Sequence, residues 1–162
     1  MLDRGAPATI SPGTILAFDF GTRFIGVAVG DRGTALAHPL GHIDAEAGGE
    51  RFARIAKLID EWRPERLLVG LPLSDDGSEH DLTRRARRFG RQLSGRFGRP
   101  VDFADERYSS AAAGQSLRDM GRGGREHKDD THAVAAQLVL QDYLDSWKAT
   151  AKTSEAASGA AQ

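Results

Sequence analysis

"ILAFDFGTRFIGVAVGD" (residues 15–31) divides at Gly21-Thr22 into two runs of aromatic, β-branched and small apolar residues. Such runs on either side of a turn signal predict strands over 15–20 and 24–30, paired as an antiparallel hairpin. Asp19 interrupts the first run. It stands among Ile15, Leu16, Ala17, Phe18 and Phe20, where an uncompensated carboxylate is costly. Alternation sets Ile15, Ala17 and Asp19 on one face of the strand and Leu16, Phe18 and Phe20 on the other. An Asp at a strand end can cap the turn that follows. It can also be held at the carboxyl end of a central strand, where α/β active sites gather. Gly21 beside it has no side chain, so a phosphate backbone could approach closely.

Working outward, Asp31-Arg32-Gly33 is a second turn, and a third strand is expected over 34–41. The period then changes: Phe52, Ile55, Ile59 and Trp62 fall at helical spacing, and Pro64 closes that helix. "RLLVG" (66–70) reads as a short buried strand, and Leu82, Ala86, Phe89, Leu93 and Phe97 form the apolar stripe of a second helix. "VDFA" (101–104) is another strand and "SSAAAGQSLRDM" (109–120) another helix, followed by a glycine-rich loop, "GRGGREHK" (121–128). A last helix is expected over 129–147, with a flexible leader at 1–13 and a disordered tail from Lys148. Three hairpin-linked strands followed by strands that alternate with helices predict an α/β domain over 14–147. Its sheet is mixed and five-stranded, three strands antiparallel and then two parallel, flanked by helices on both faces.

A chain of 162 residues with 40% apolar and 28% charged residues suits one globular domain. No apolar run exceeds four residues, which excludes a transmembrane helix. The absence of cysteine excludes disulfides and thiolate metal sites, and fits a cytoplasmic protein. The net charge of −1 hides an asymmetry: residues 81–128 hold twelve Lys and Arg against six Asp and Glu, and the remainder holds ten against seventeen. Basic charge gathered in one segment points to a polyanionic partner.

"VDFADERYSS" (101–110) places Glu106 just past a strand end, where neighbouring strands could bring it close to Asp19. The plainer alternative is a helix start, with Ser109 or Ser110 as cap and acids favoured by the helix dipole. Asp129 and His132, three apart at the opening of the last helix, share a face. Acids and a histidine from three elements, all near one end of the sheet, suit a divalent cation held by oxygen ligands, Mg²⁺ or Mn²⁺. Arg84, Arg85, Arg87, Arg88, Arg91, Arg96 and Arg99 dominate the second helix and its end, and Asp81 is the only acid between 81 and 99. A merely solvated face mixes Glu with Lys; guanidinium forks fit phosphate oxygens.

Four motifs in order, "LAFDFGTRFIGVAVGD", "LLVGLPLSDDGSEHDLTRRARRF", "ADERYSS" and "AAQLVLQDYL", together resemble the YqgF/RuvX family over residues 14–147. The resemblance implies a ribonuclease H-like fold and a cytoplasmic, metal-dependent nuclease that trims the 5′ end of pre-16S ribosomal RNA, leaving a 5′-phosphate. By position, Asp19 matches the first-strand acid and Glu106 the acid of the "DER" motif. The third acid departs: His132 stands where the family pattern has its helix aspartate, and Asp129 lies one turn earlier. The expected mechanism is hydrolysis with two ions about 3.5–4 Å apart, held by Asp19, Glu106 and Asp129 or His132. Arg23 and Arg107 would steady phosphates. Arg84, Arg87, Arg88 and Arg91, with Arg122, Arg125 and Lys128 of the glycine-rich loop, would bind the nucleic acid. Branched DNA is the alternative substrate, and the protein would act as a monomer or a homodimer. A non-catalytic RNA-binding module is the alternative to an enzyme. "DFGT" also resembles the phosphate loop of actin-like ATPases, but those need two such domains.

Overall fold

In a computed structural model the described residues are 10–46, 48–74, 76–106 and 130–160, the last twelve of them by backbone alone. The opening hairpin forms as expected. Strands β1 (Ser11–Phe20) and β2 (Phe24–Asp31) pair antiparallel with Phe20 opposite Ile25, and the Gly21 N–H donates to the Phe24 carbonyl at 3.1 Å. Both strands are buried on both faces, which is why they read as nearly continuous apolar runs. β3 (Leu36–Asp44) pairs antiparallel with β2; β4 (Pro64–Leu71) and β5 (Val101–Asp105) extend the other side in parallel. The order β3-β2-β1-β4-β5 puts β1 at the centre.

Among the described residues, three helices cover this sheet. α1 (Gly49–Trp62) and α2 (Asp81–Phe97) are the crossovers into β4 and β5. Both crossovers advance the same way along the sheet, so the right-handed rule places both helices on one face. There Leu16, Phe18 and Phe20 of β1 pack with Phe52, Ile55, Ile59, Phe89 and Leu93. The other face carries α3 (Thr131–Ala160), whose Ala136, Val139, Leu140 and Leu144 cover Ile15, Ala17, Ala28 and Leu68.

Local chemistry sets the boundaries. α1 stops at Arg63, left-handed at φ 48°, whose N–H returns to the Ile59 carbonyl, and Pro64 then begins β4. α2 ends on Gly98, also left-handed. Two expectations need correcting. The third strand starts at Leu36, after Ala35 at φ 58°, and runs to Asp44, because a register shift opposite Val27 and Ala28 lengthens it. α3 continues to Ala160, past Lys148 where a disordered tail was expected. "KATAKTSEAASGA" is rich in good helix formers, which propagate a helix already nucleated by its docked first half. The helix expected over 109–120 and the loop over 121–128 lie outside the described residues.

Candidate active site

Register places Asp19 in a row of residues that cross the sheet and face α3. Asp19 is opposite Gly26 of β2 and beside Gly70 of β4; Gly26 in turn is opposite His42 of β3, and Gly70 is beside Ala104 of β5. Both immediate neighbours of the carboxylate therefore lack a side chain. Asp19 is half-exposed between buried Phe18 and Phe20, so its charge stays in touch with water while its strand is core.

Each glycine admits one particular visitor. A Cβ on Gly70 would stand 2.5 Å from Oε2 of Glu106 and 3.1 Å from its Cδ, so the Glu106 carboxylate occupies the space that a side chain would fill. Strand neighbours lie about 4.8 Å apart, which brings Glu106 beside Asp19 on one face. The Glu106 N–H donates to the Leu71 carbonyl at 3.2 Å, continuing the β4–β5 ladder one residue past β5. A Cβ on Gly26 would overlap the His132 carbonyl oxygen, so the first turn of α3 lies against β2 backbone to backbone.

The start of α3 is fixed further by Asp130. Its Oδ1 accepts the Ala133 N–H at 3.0 Å, an N-cap, and its carboxylate meets Nδ1 of His42 at 3.2 Å. The His132 ring packs at 4.9 Å from Phe24 and 5.7 Å from His42, on the β3 side of Asp19. Glu106 thus reaches the space over Gly70, the β4 neighbour of Asp19, and His132 joins an aromatic group with His42. Asp129 lies outside the described residues, and among the described residues no group of three or more His, Cys, Asp or Glu is arranged to hold a metal. The oxygen donors of Asp19 and Glu106, with a glycine cradle for the latter, fit a hard divalent cation.

Gly26, Gly70, His42 and Asp130 are missing from the expected site. The signal for Gly70 is readable: a glycine inside the apolar "LLVGL" marks a close approach. His42 carries no comparable signal.

The basic residues divide. Arg23, exposed in the turn after Asp19, holds the Ala45 N–H with its carbonyl and lies over the Phe24 ring at 5.5 Å. On α2, Arg84, Arg87 and Arg91 share the flank towards β5, where Arg87 lies over the Phe103 ring at 5.5 Å and pairs with Glu79 at 2.7 Å. The hydrogen bond from Arg87 holds the Glu79 carboxyl below its usual range. Arg88 is on the other flank, towards α1. Arg107, Arg122, Arg125 and Lys128 lie outside the described residues.

Residues 13–146 match the RuvX family, described as Holliday junction resolvase. The chain belongs to this family. A Methylobacillus flagellatus protein named as a candidate pre-16S rRNA nuclease is 53% identical over 86% of the chain and 95% of its own length. One of the same name from Dechloromonas aromatica is 52% identical over 83% of the chain and 92% of its own. Among solved structures, Thermus thermophilus RuvC in complex with a Holliday junction substrate overlays with a TM-score of 0.50, at 15% identity, covering 83% of this chain and 95% of that one. The ribonuclease H-like fold expected for this RuvX-family chain is the fold found. No helix among the described residues is long and apolar enough to cross a membrane.

Proposed function

We propose that this chain is a metal-dependent endonuclease that hydrolyses phosphodiester bonds of structured RNA, trimming the 5′ end of pre-16S rRNA in the cytoplasm. The observation that carries the reading is the convergence of Asp19 and Glu106 through the space left by Gly70. Nothing about stability requires a second carboxylate beside the first; like charges that close repel. A Mg²⁺ or Mn²⁺ ion held there would offset that repulsion and, when bound, supply activated water and charge stabilisation at the scissile phosphate. Asp19 and Glu106 would hold it, with Asp129 or His132 contributing from the α3 side.

The remaining roles belong to the chain itself. The glycine-flanked floor lets a phosphate backbone lie close to the sheet. Arg23 stands at the rim of the turn after Asp19, and Arg107 follows Glu106 in sequence; both would orient the flanking phosphates. α2 starts at the sheet edge where β1, β4 and β5 end, so Arg84 and Arg87 lie nearest that edge and Arg91 farther along. Arg88, Arg122, Arg125 and Lys128 complete the set proposed to bind nucleic acid. Junction resolution is the second reading, since the family's description names it.

The test is Asp19→Asn, which keeps the shape and removes the charge. RNA cleavage should be lost while the melting temperature is unchanged or raised, since a carboxylate without its cation is costly in a strand. Wild-type turnover by this variant would remove Asp19 from the site. Assays of a pre-16S fragment and a four-way DNA junction, side by side, choose between the substrates.

A further inference from the structure

The face of the sheet opposite Asp19 carries an arginine cluster of which the site above uses Arg88 alone. Residues three and four apart share a helix face, so Arg85, Arg88, Gln92 and Arg96 form one stripe on α2, directed at the first turn of α1. Arg51 of α1 meets that stripe: its Nη1 donates to the Ala45 carbonyl at 2.7 Å and its Nη2 to Gln92 Oε1 at 3.5 Å. Phe52 is shared, with the Arg96 guanidinium 4.0 Å above the ring and that of Arg51 at 4.8 Å. Arg51 also lies 5.5 Å from the Phe89 ring. Arg85, Arg88 and Arg96 are exposed; Arg51 is half-buried, and its Nε is buried without a hydrogen-bond partner.

The charge here is unbalanced. Among the described residues none of these four arginines is in an ion pair, whereas Arg32, Arg66 and Arg87 each have a carboxylate. Burial lowers the pKa of Arg51, and the charges of Arg85, Arg96 and Arg88 push it the same way. Like charges at helical spacing cost a few tenths of a kcal/mol per pair. A chain that selects against that cost would intersperse acids; this one stacks two guanidiniums on one phenylalanine and leaves Arg85, Arg88 and Arg96 exposed. Such a surface is relieved by an anion of many charges.

We propose that Arg51, Arg85, Arg88 and Arg96 form a second phosphate-backbone site for RNA, across the sheet from Asp19 and Glu106. It rests on the nuclease reading for the identity of the polyanion. From Arg85 to Arg96 the stripe runs about 16 Å along the helix axis, long enough for several phosphates of one strand. The other flank of α2, with Arg84, Arg87 and Arg91, carries basic charge round the β5 edge of the sheet. A substrate that engages both flanks passes from the carboxylates to the back of the domain, which an extended or folded RNA can do.

The test compares R85Q/R96Q with its parent, both in the Asp19→Asn background so that the RNA stays intact, using a labelled single-stranded RNA oligonucleotide. The double change should weaken binding and flatten the log–log salt slope by about 1.4, since each phosphate contact on a single strand contributes about 0.7. R85K/R96K should keep the slope. R51Q, which also frees the Ala45 carbonyl, is read only as a third increment of the slope. Were the double variant to misfold by circular dichroism, R85Q alone should flatten the slope by about 0.7. An unchanged slope overturns the proposal; if the same variant loses binding of poly-glutamate, the surface belongs to an acidic protein instead. RNA left uncut by the wild-type chain, with a flattened slope, keeps this surface and sinks the nuclease reading. Cleavage with an unchanged slope does the reverse.

Discussion

On the α3 side of the sheet the side chains shrink where Asp19 stands: Gly26, Gly70 and Ala104 share its row, and a helix backbone and a second carboxylate move into the space. On the α1–α2 side the same strands present Phe18 and Phe20, which meet Phe89 at 5.8 Å and 5.1 Å under a layer of arginines. One face is built by removing atoms, the other by packing aromatic rings against one another. The filled face gives the sheet rigidity, and rigidity is what lets the emptied face hold two acids side by side. Substitutions that add one methyl group should therefore act differently on the two glycines of the emptied face.

Gly26→Ala should have the largest effect. The new Cβ meets the carbonyl of His132 and lies 3.3 Å from the Ala133 nitrogen, both in the backbone of α3, so the whole first turn must lift. The expected cost is about 3 kcal/mol, at the upper end for overpacking. In a domain of this size that lowers the melting temperature by roughly 6–12 °C. A melting temperature unchanged in calorimetry would mean that α3 docks loosely and that the two faces differ less than their packing implies.

Gly70→Ala should separate stability from activity. Its Cβ would press on the end of the Glu106 side chain, which can swing away at little cost. Stability should change by less than about 1 kcal/mol, the range of a mild substitution. Cleavage should fall roughly 10²-fold, as a misplaced catalytic group does. Retained cleavage with a displaced Glu106 would leave Asp19 without its carboxylate partner in the mechanism.

Much of this was legible beforehand, for identifiable reasons. The β1–β2 hairpin announces itself through a two-residue turn between apolar runs, and the helices through stripes such as Phe52, Ile55 and Ile59. Asp19 stood out because charge in a buried strand needs a reason, and Glu106 only as an acid just past the end of β5. The pairing of Asp130 with His42 was not readable: the two are 88 residues apart, and only the docking of α3 over β3 joins them. Nor does the arginine pattern alone say which of its two stripes meets α1. That depends on the depth at which Phe89 and Leu93 seat the helix.

The smallest effect lies on the α3 face, away from the acids. The Tyr143 hydroxyl donates to Asp102, which Arg66 also holds at 3.1 Å, and the Tyr143 ring meets Trp147 at 5.6 Å, itself under Arg32. Burial raises the Tyr143 pKa well above its usual value, and the hydrogen bond to the Asp102 carboxylate adds to the rise. In the unfolded chain a tyrosine loses its proton near pH 10, while the folded chain keeps it. Above that pH the unfolded state binds fewer protons, so stability falls as the pH rises towards the folded-state value. Below it the contribution is fully present. Tyr143→Phe removes one hydrogen bond and should cost about 1 kcal/mol at neutral pH, yet its stability should decline less steeply above about pH 10 than that of the parent. Urea titrations at neutral and alkaline pH read both quantities. Equal slopes in the two proteins would mean that Tyr143 ionises as freely folded as unfolded, and that this part of the α3 face is wetter than its packing implies.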